Sequence, residues 1–222
     1  MRLLLFGATG MVGQGVLREC LRASDVSSVV TVGRAATGRR DSKLREIVLK
    51  DMFDYASIEA DLPGFDACFF CLGVSSAGMN EADYTRLTYD LTLAAATVLA
   101  RLNPEMTFVY VSGTGTDSSE RGRVMWARVK GRTENALRRL PFKAVYLFRP
   151  GVIQPKHGVR SKTPWVRIGY VLLAPLVPIV RAIAPAFVTD TEKVGLAMLN
   201  VVRRGWHSPI LENRDISEAA ES

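Results

Sequence analysis

Residues 1–16, MRLLLFGATGMVGQGV, carry an apolar run into a glycine-rich turn and an amphipathic pattern out of it. Leu3, Leu4, Leu5 and Phe6 have the length and unbroken apolarity of a strand buried on both faces, whereas Val12, Val16, Leu17, Cys20 and Leu21 recur at helical spacing. Between them Gly7, Gly10 and Gly13 read G-x-x-G-x-x-G. In a strand–turn–helix unit such glycines allow a tight turn, a close approach of backbone to a pyrophosphate, and close packing of helix on sheet, with the phosphates at the helix N-terminus. Regular glycines alone would also suit a plain packing turn. The strand before them and the helix behind them make a dinucleotide the expected ligand, with Gly7, Thr9, Gly10, Met11, Val12 and Gly13 forming the turn.

The end of the next strand selects among dinucleotides. Val29–Val32 reads as a strand and runs into Gly33 and Arg34. A site for NAD usually places Asp or Glu about 20 residues beyond the glycine turn to hold the ribose 2′-hydroxyl, while an arginine accommodates a 2′-phosphate. Here that place is Arg34, with Arg39 and Arg40 nearby and no carboxylate between Asp25 and Asp41. NADP is the expected cofactor, ahead of NAD, although a solvated basic loop would have the same residues.

A chain of 222 residues, 48% hydrophobic, suffices for one α/β domain with a well-buried core. No uncharged apolar run reaches membrane-spanning length, and the N-terminal apolar stretch is needed as the first strand, so a cytoplasmic protein is expected. Cys20, Cys68 and Cys71 read as core residues. Cys68 and Cys71 stand three apart on a strand, which points their side chains to opposite faces and makes a poor metal or redox pair. The net charge of +7, from 29 Lys and Arg against 22 Asp and Glu, is spread along the chain with small groups at 34–45, 121–132 and 156–167. No nucleic-acid module accompanies it, and a phosphorylated cofactor and ordinary solvation account for the excess.

Strand and helix patterns alternate onward: strands at 46–50, 66–72, 108–111 and 144–148, helices at 83–102 and 123–140. This predicts a doubly wound parallel sheet with helices on both faces, a single Rossmann-type domain over 1–212, and ligands beyond the carboxyl ends of the strands. Residues 164–187 are apolar but interrupted by Pro175, Pro178, Pro185, Arg167 and Arg181, which excludes one continuous spanning helix. They read as a small helical lobe over the substrate end, either a lid or a membrane-surface contact. Residues 189–204 read as an amphipathic helix capped by Thr189 or Asp190, and 213–222 as a mobile polar tail.

The turn FGATGMVG, the strand end CLG at 71–73, the strand FVYVSG, the helix segment VKGRTENAL and the turn FRPGV at 148–152 together resemble the atypical short-chain dehydrogenase/reductases, most closely their Tat-interacting-protein branch. The resemblance covers about residues 1–155. It implies a Rossmann fold, with Asp51 and Met52 near the adenine, Leu72 and Gly73 near the ribose, and Lys130 on the nicotinamide ribose. It leaves function open, because the branch holds reductases and cofactor-sensing regulators alike.

Orthodox members of that superfamily react through a serine, a tyrosine, and a lysine four residues after the tyrosine. Tyrosine exchanges a proton with the substrate oxygen, serine orients that oxygen, and lysine lowers the tyrosine pKa; the spacing sets tyrosine and lysine on one helical face. The matching lysine is Lys130, but four residues earlier stands Trp126, whose indole N–H donates a hydrogen bond and has no proton to transfer near neutral pH. Ser112 matches the serine strand, followed by Gly113, with Thr114 as a further hydroxyl. Any transferred proton would come from water, His157 or the substrate. Hydride transfer to a small carbonyl or enone is one expected function, and a non-catalytic, NADP-responsive regulatory module is the other. The substrate, protein partners and oligomeric state have no signature in the sequence.

Overall fold

The computed structural model describes residues 1–159 and 187–222. The apolar segment expected to form a lid therefore lies outside the described residues, apart from Phe187. Seven strands form one all-parallel sheet in the order β3-β2-β1-β4-β5-β6-β9. They are β1 (Arg2–Phe6), β2 (Ser28–Gly33), β3 (Leu44–Val48), β4 (Ala67–Phe70), β5 (Thr107–Val111), β6 (Ala144–Arg149) and β9 (Ile210–Glu212). The reversal of order between β1 and β4 opens a crevice at the carboxyl ends of these strands, where doubly wound folds bind ligands. A separate parallel pair joins β7 (Val152–Gln154) to β8 (Val188–Asp190).

Apolar residues on both faces of β1 hold the layers together. Leu3 and Leu5 face one core, with helices α1 (Met11–Arg22), α5 (Thr191–Arg204) and α6 (Asn213–Glu221) over it. Leu4 and Phe6 face the other, beneath α3 (Leu91–Leu102) and α4 (Met125–Leu137). Cys68 packs into the second core and Cys71 against the first, on the opposite faces that their spacing requires. The helix expected from 83 starts at α2 (Glu81–Thr85), where Asn80 Oδ1 accepts from Asp83 N at 2.8 Å, and reaches α3 through a π-helical turn over Arg86–Asp90.

The chain end departs from the sequence reading. Residues 213–221 form α6, not a mobile tail, because Glu212 and Asp215 make a reciprocal capping box and Ile216 and Ala219 put a short apolar stripe into the first core. Asn200 Nδ2 adds a bond to Ala219 O at 2.9 Å. Asp190, one of the two residues expected to cap the helix at 191, does so: its Oδ1 accepts from Lys193 N at 2.8 Å.

Two glycines let helices approach other backbone closely. A Cβ at Gly15 of α1 would stand 2.5 Å from Thr191 Cβ, and one at Gly131 of α4 would stand 1.8 Å from Asp117 O. Gly131→Ala must therefore push α4 off the loop at 117, and overpacking of this kind costs about 1–3 kcal/mol. Thermal unfolding is expected to show a Tm lower by roughly 2–4 °C per kcal/mol lost. Gly113→Ala, whose Cβ would meet nothing nearer than 3.9 Å, is expected to leave Tm almost unchanged.

Candidate functional site

The turn between β1 and α1 has the geometry that its glycines imply. Gly7 sits at φ +79°, and a Cβ there would stand 2.7 Å from Cys71 C, so both its conformation and its space exclude a side chain. A Cβ at Gly13 would lie 2.1 Å from Gly7 O. Gly13 thus seats the helix on the turn. Gly10 caps α1 without a side-chain hydrogen bond, and no acidic residue occupies the first helical turn. The positive end of the helix and its first N–H groups are left to a ligand.

Two adjoining clefts meet at this turn, and both are lined by Gly7, Thr9, Arg34 and Leu72. The smaller, about 380 Å³, runs along the end of β2 past Thr31, Gly33, Arg34 and Thr37 to Met52. The larger, about 800 Å³, runs past Gly10, Met11, Val12 and Gly73 to Ser112, Thr114, Trp126 and Lys130. Nearly every candidate from the sequence is thereby brought to one crevice. Asp51 is not: it is exposed, absent from both linings, and its Oδ1 accepts from Phe53 N at 2.9 Å to close a turn.

The sequence reading missed Glu46. From β3 its carboxylate accepts from Thr37 N at 2.7 Å and from Thr31 Oγ1 at 3.3 Å, so it folds the loop that carries Arg34. Its pairing opposite Thr31 in the sheet is a long-range fact that distance along the chain hides.

At the other end, α4 presents Trp126 and Lys130 to the larger cleft and Glu134 to the interior beneath it. Ser112 Oγ donates to Glu134 Oε1 at 2.5 Å, and Thr114 Oγ1 donates to Arg149 O at 3.0 Å. Both hydroxyl protons point into the protein; each oxygen retains only acceptor capacity toward the cleft. Glu134, 1% exposed, takes a two-pronged bond from Arg149, Nε to Oε1 at 3.1 Å and Nη2 to Oε2 at 2.5 Å. Arg149 reaches on to Ser118 Oγ at 2.6 Å and Glu212 Oε1 at 3.2 Å. Lys130 Nζ donates to Ser112 O. Burial pushes the Lys130 ammonium down to about 8, against the opposing pull of Glu134.

His157 lies elsewhere. It stands at φ 55°, pairs through Nε2 with Glu192 at 3.0 Å, and lines neither cleft. Tyr84 and Tyr110 are buried, and Tyr89 lies under the Arg132 guanidinium at 4.2 Å. None of the three tyrosines stands on the larger cleft.

The sheet order and the glycine turn define a Rossmann-type fold. In sequence the chain is similar to proteins named FMP52 and HTATIP2. The mitochondrial protein FMP52 of Meyerozyma guilliermondii is 29% identical over 164 residues, which are 71% of this chain and 69% of that protein. HTATIP2 of Rattus norvegicus is 28% identical over 152 residues, 67% of this chain and 61% of that protein. A dTDP-glucose 4,6-dehydratase from Streptomyces venezuelae, DesIV, solved with NAD bound, shares the fold at TM-score 0.67 and 14% identity, over 99% of this chain and 80% of its own. No protein-family model matches. The cytoplasmic expectation is corrected by these relatives, since the fungal FMP52 proteins are named as mitochondrial. That expectation rested on apolar-run length, which does not report on a soluble organelle compartment. Among the described residues no helix is long and apolar enough to cross a membrane.

Removing one member of a buried ion pair strands the other charge. Glu134→Ala is expected to lower unfolding stability in urea by about 3 kcal/mol, the lower end of the usual range because Glu212 still faces Arg149.

Proposed function

We propose that the chain binds NADP(H) and reduces a small carbonyl or enone-type compound. Arg34 carries the reading: it stands at the carboxyl end of β2, on the wall shared by the two clefts, in the place where a 2′-phosphate calls for an arginine. The nearby Glu46 carboxylate is engaged by the loop's own Thr37 N–H and by Thr31, which leaves the guanidinium as the charge available to a ligand. The glycine turn fits a pyrophosphate, because Gly7 and Gly13, where a Cβ would strike the Cys71 backbone and the Gly7 carbonyl, let the turn close tightly beneath the α1 N-terminus, whose first turn has no acid. NAD in the DesIV structure supports a nicotinamide dinucleotide, without distinguishing its phosphorylated form.

In this reading Gly7, Thr9, Gly10, Met11 and Val12 wrap the pyrophosphate, Arg34 takes the 2′-phosphate, Met52 packs on the adenine, Leu72 and Gly73 border the ribose, and Lys130 holds the nicotinamide ribose. The bound cofactor supplies a hydride to the substrate. Trp126 stands where orthodox relatives of this fold have their phenol, one turn before Lys130. That substitution also favours a second reading, in which NADP(H) occupancy is sensed without turnover. Tight NADPH binding with no oxidation across quinones, aldehydes and enones would select it.

Arg34→Ala is expected to weaken NADPH by on the order of 1.5–3 kcal/mol with little effect on NADH, read by nucleotide fluorescence. Equal affinity of the unmodified protein for the two nucleotides would contradict the assignment. Trp126→Tyr places a phenol on the helical face of Lys130 and is expected to raise reductase activity, general acid catalysis being worth about 10²- to 10⁴-fold. A protein that already turns over briskly and slows on this substitution would show that position 126 is not a vacated acid site.

A further inference from the structure

Among the described residues, few that line the larger cleft are able to part with a proton. Its described lining holds three ionisable side chains, Arg34, Cys71 and Lys130, besides hydroxyls and the Trp126 indole. An arginine guanidinium keeps its proton throughout protein chemistry, and an indole N–H is a donor only. Burial raises the Cys71 thiol far out of the neutral range. The Ser112 and Thr114 hydroxyl protons are committed to Glu134 and to the Arg149 carbonyl. The lining's other hydroxyls, Thr9 and Ser75, are aliphatic alcohols, far too weak as acids to give up a proton near neutral pH. Among the described lining residues Lys130 is left: its Nζ is held by the Ser112 carbonyl at the cleft wall, and it stands 3.9 Å from where a Gly113 Cβ would project.

From this placement, and resting on the reductase reading above, we propose that Lys130 is itself the proton donor of the reaction, in addition to any hold on the ribose. The substrate's carbonyl carbon accepts a hydride from the reduced nicotinamide dinucleotide, and its π pair moves onto oxygen. That oxygen forms an O–H bond to a proton leaving Nζ, and the neutral amine regains a proton from solvent. The surroundings suit this role. Glu134 one turn along α4 is saturated by Arg149 and Ser112, so no free carboxylate locks the ammonium. Arg34 from the end of β2 and Cys71 from the end of β4 are the other ionisable groups on that wall. Burial opposes the charge more than Glu134 favours it, which brings the ammonium to about 8, within reach of neutral-pH proton transfer.

Competitive acetylation of the whole protein with trace acetic anhydride across pH, followed by peptide mass spectrometry, reads the amine directly. The expected midpoint for Lys130 is near pH 8, with the exposed lysines near the ordinary value of about 10.4. The acid must be protonated to act, so kcat/KM for carbonyl reduction is expected to fall as pH rises through that midpoint. Lys130→Arg keeps a cation but gives up no proton; at NADPH concentrations shown by fluorescence to saturate the variant, it is expected to lose about 10²-fold or more in kcat and to lose the fall in rate across pH 8. A Lys130 midpoint among the ordinary lysines, or full turnover by Lys130→Arg, overturns the proposal and leaves the cofactor reading standing. An unmodified protein that fails to bind NADPH overturns both.

Discussion

Gly13 lies against the Gly7 carbonyl, closer than any side chain would allow, and the rest of the crevice is organised around that contact. It brings the first turn of α1 over the carboxyl end of β1. The same approach sets Gly7 against the backbone of Cys71 and Leu72, so the ends of β1 and β4 converge at the point where strand order reverses. With Gly10 as an empty cap and no acid in the first turn, the helix end presents unsatisfied N–H groups to whatever occupies the cleft. Apolar burial on both faces of β1, through Leu3 and Leu5 on one side and Leu4 and Phe6 on the other, keeps this turn from shifting.

A second constraint governs the far end. Glu134 is buried and fully engaged, and Arg149 connects it through Glu212 to the edge strand β9. This pair ties α4 to β6 and so fixes the height of Lys130 and Trp126 over the cleft. A charge pair in such a place is costly to desolvate, and its contribution is specific positioning as much as stability. The hydroxyl of Ser112 is drawn into the same network, which separates this chain's serine from a residue free to donate to a substrate.

The sequence shows the β1–turn–α1 unit and the central strands because each carries a strong local signal: an unbroken apolar run, three spaced glycines, a 3.6-residue stripe. The elements it hides are short or are stabilised from a distance. β7, β8 and β9 have three residues each, too few for any period to register. Helix α6 is polar but for Ile216, Ala219 and Ala220, and its capping box reads as tail-like acidity until the fold supplies a surface. Glu134, four residues after Lys130, looks like half of an exposed helical ion pair; only β6 brings Arg149 to it. Asp51, which the family resemblance implies near the adenine, stands outside both cleft linings with its side chain closing a local turn, a contact that the resemblance does not convey. Glu46 acts on Arg34's loop through sheet pairing, which no linear motif records.

Hydrogen–deuterium exchange with and without NADPH tests the central claim, that one crevice from the glycine turn to Lys130 holds a phosphorylated dinucleotide. The account predicts slowed exchange at 7–13, at the loop 33–38 and at the β5 end around 112–114, with the loop protected more by NADPH than by NADH. No protection at 7–13 at saturating nucleotide, or protection confined to another face, would contradict it.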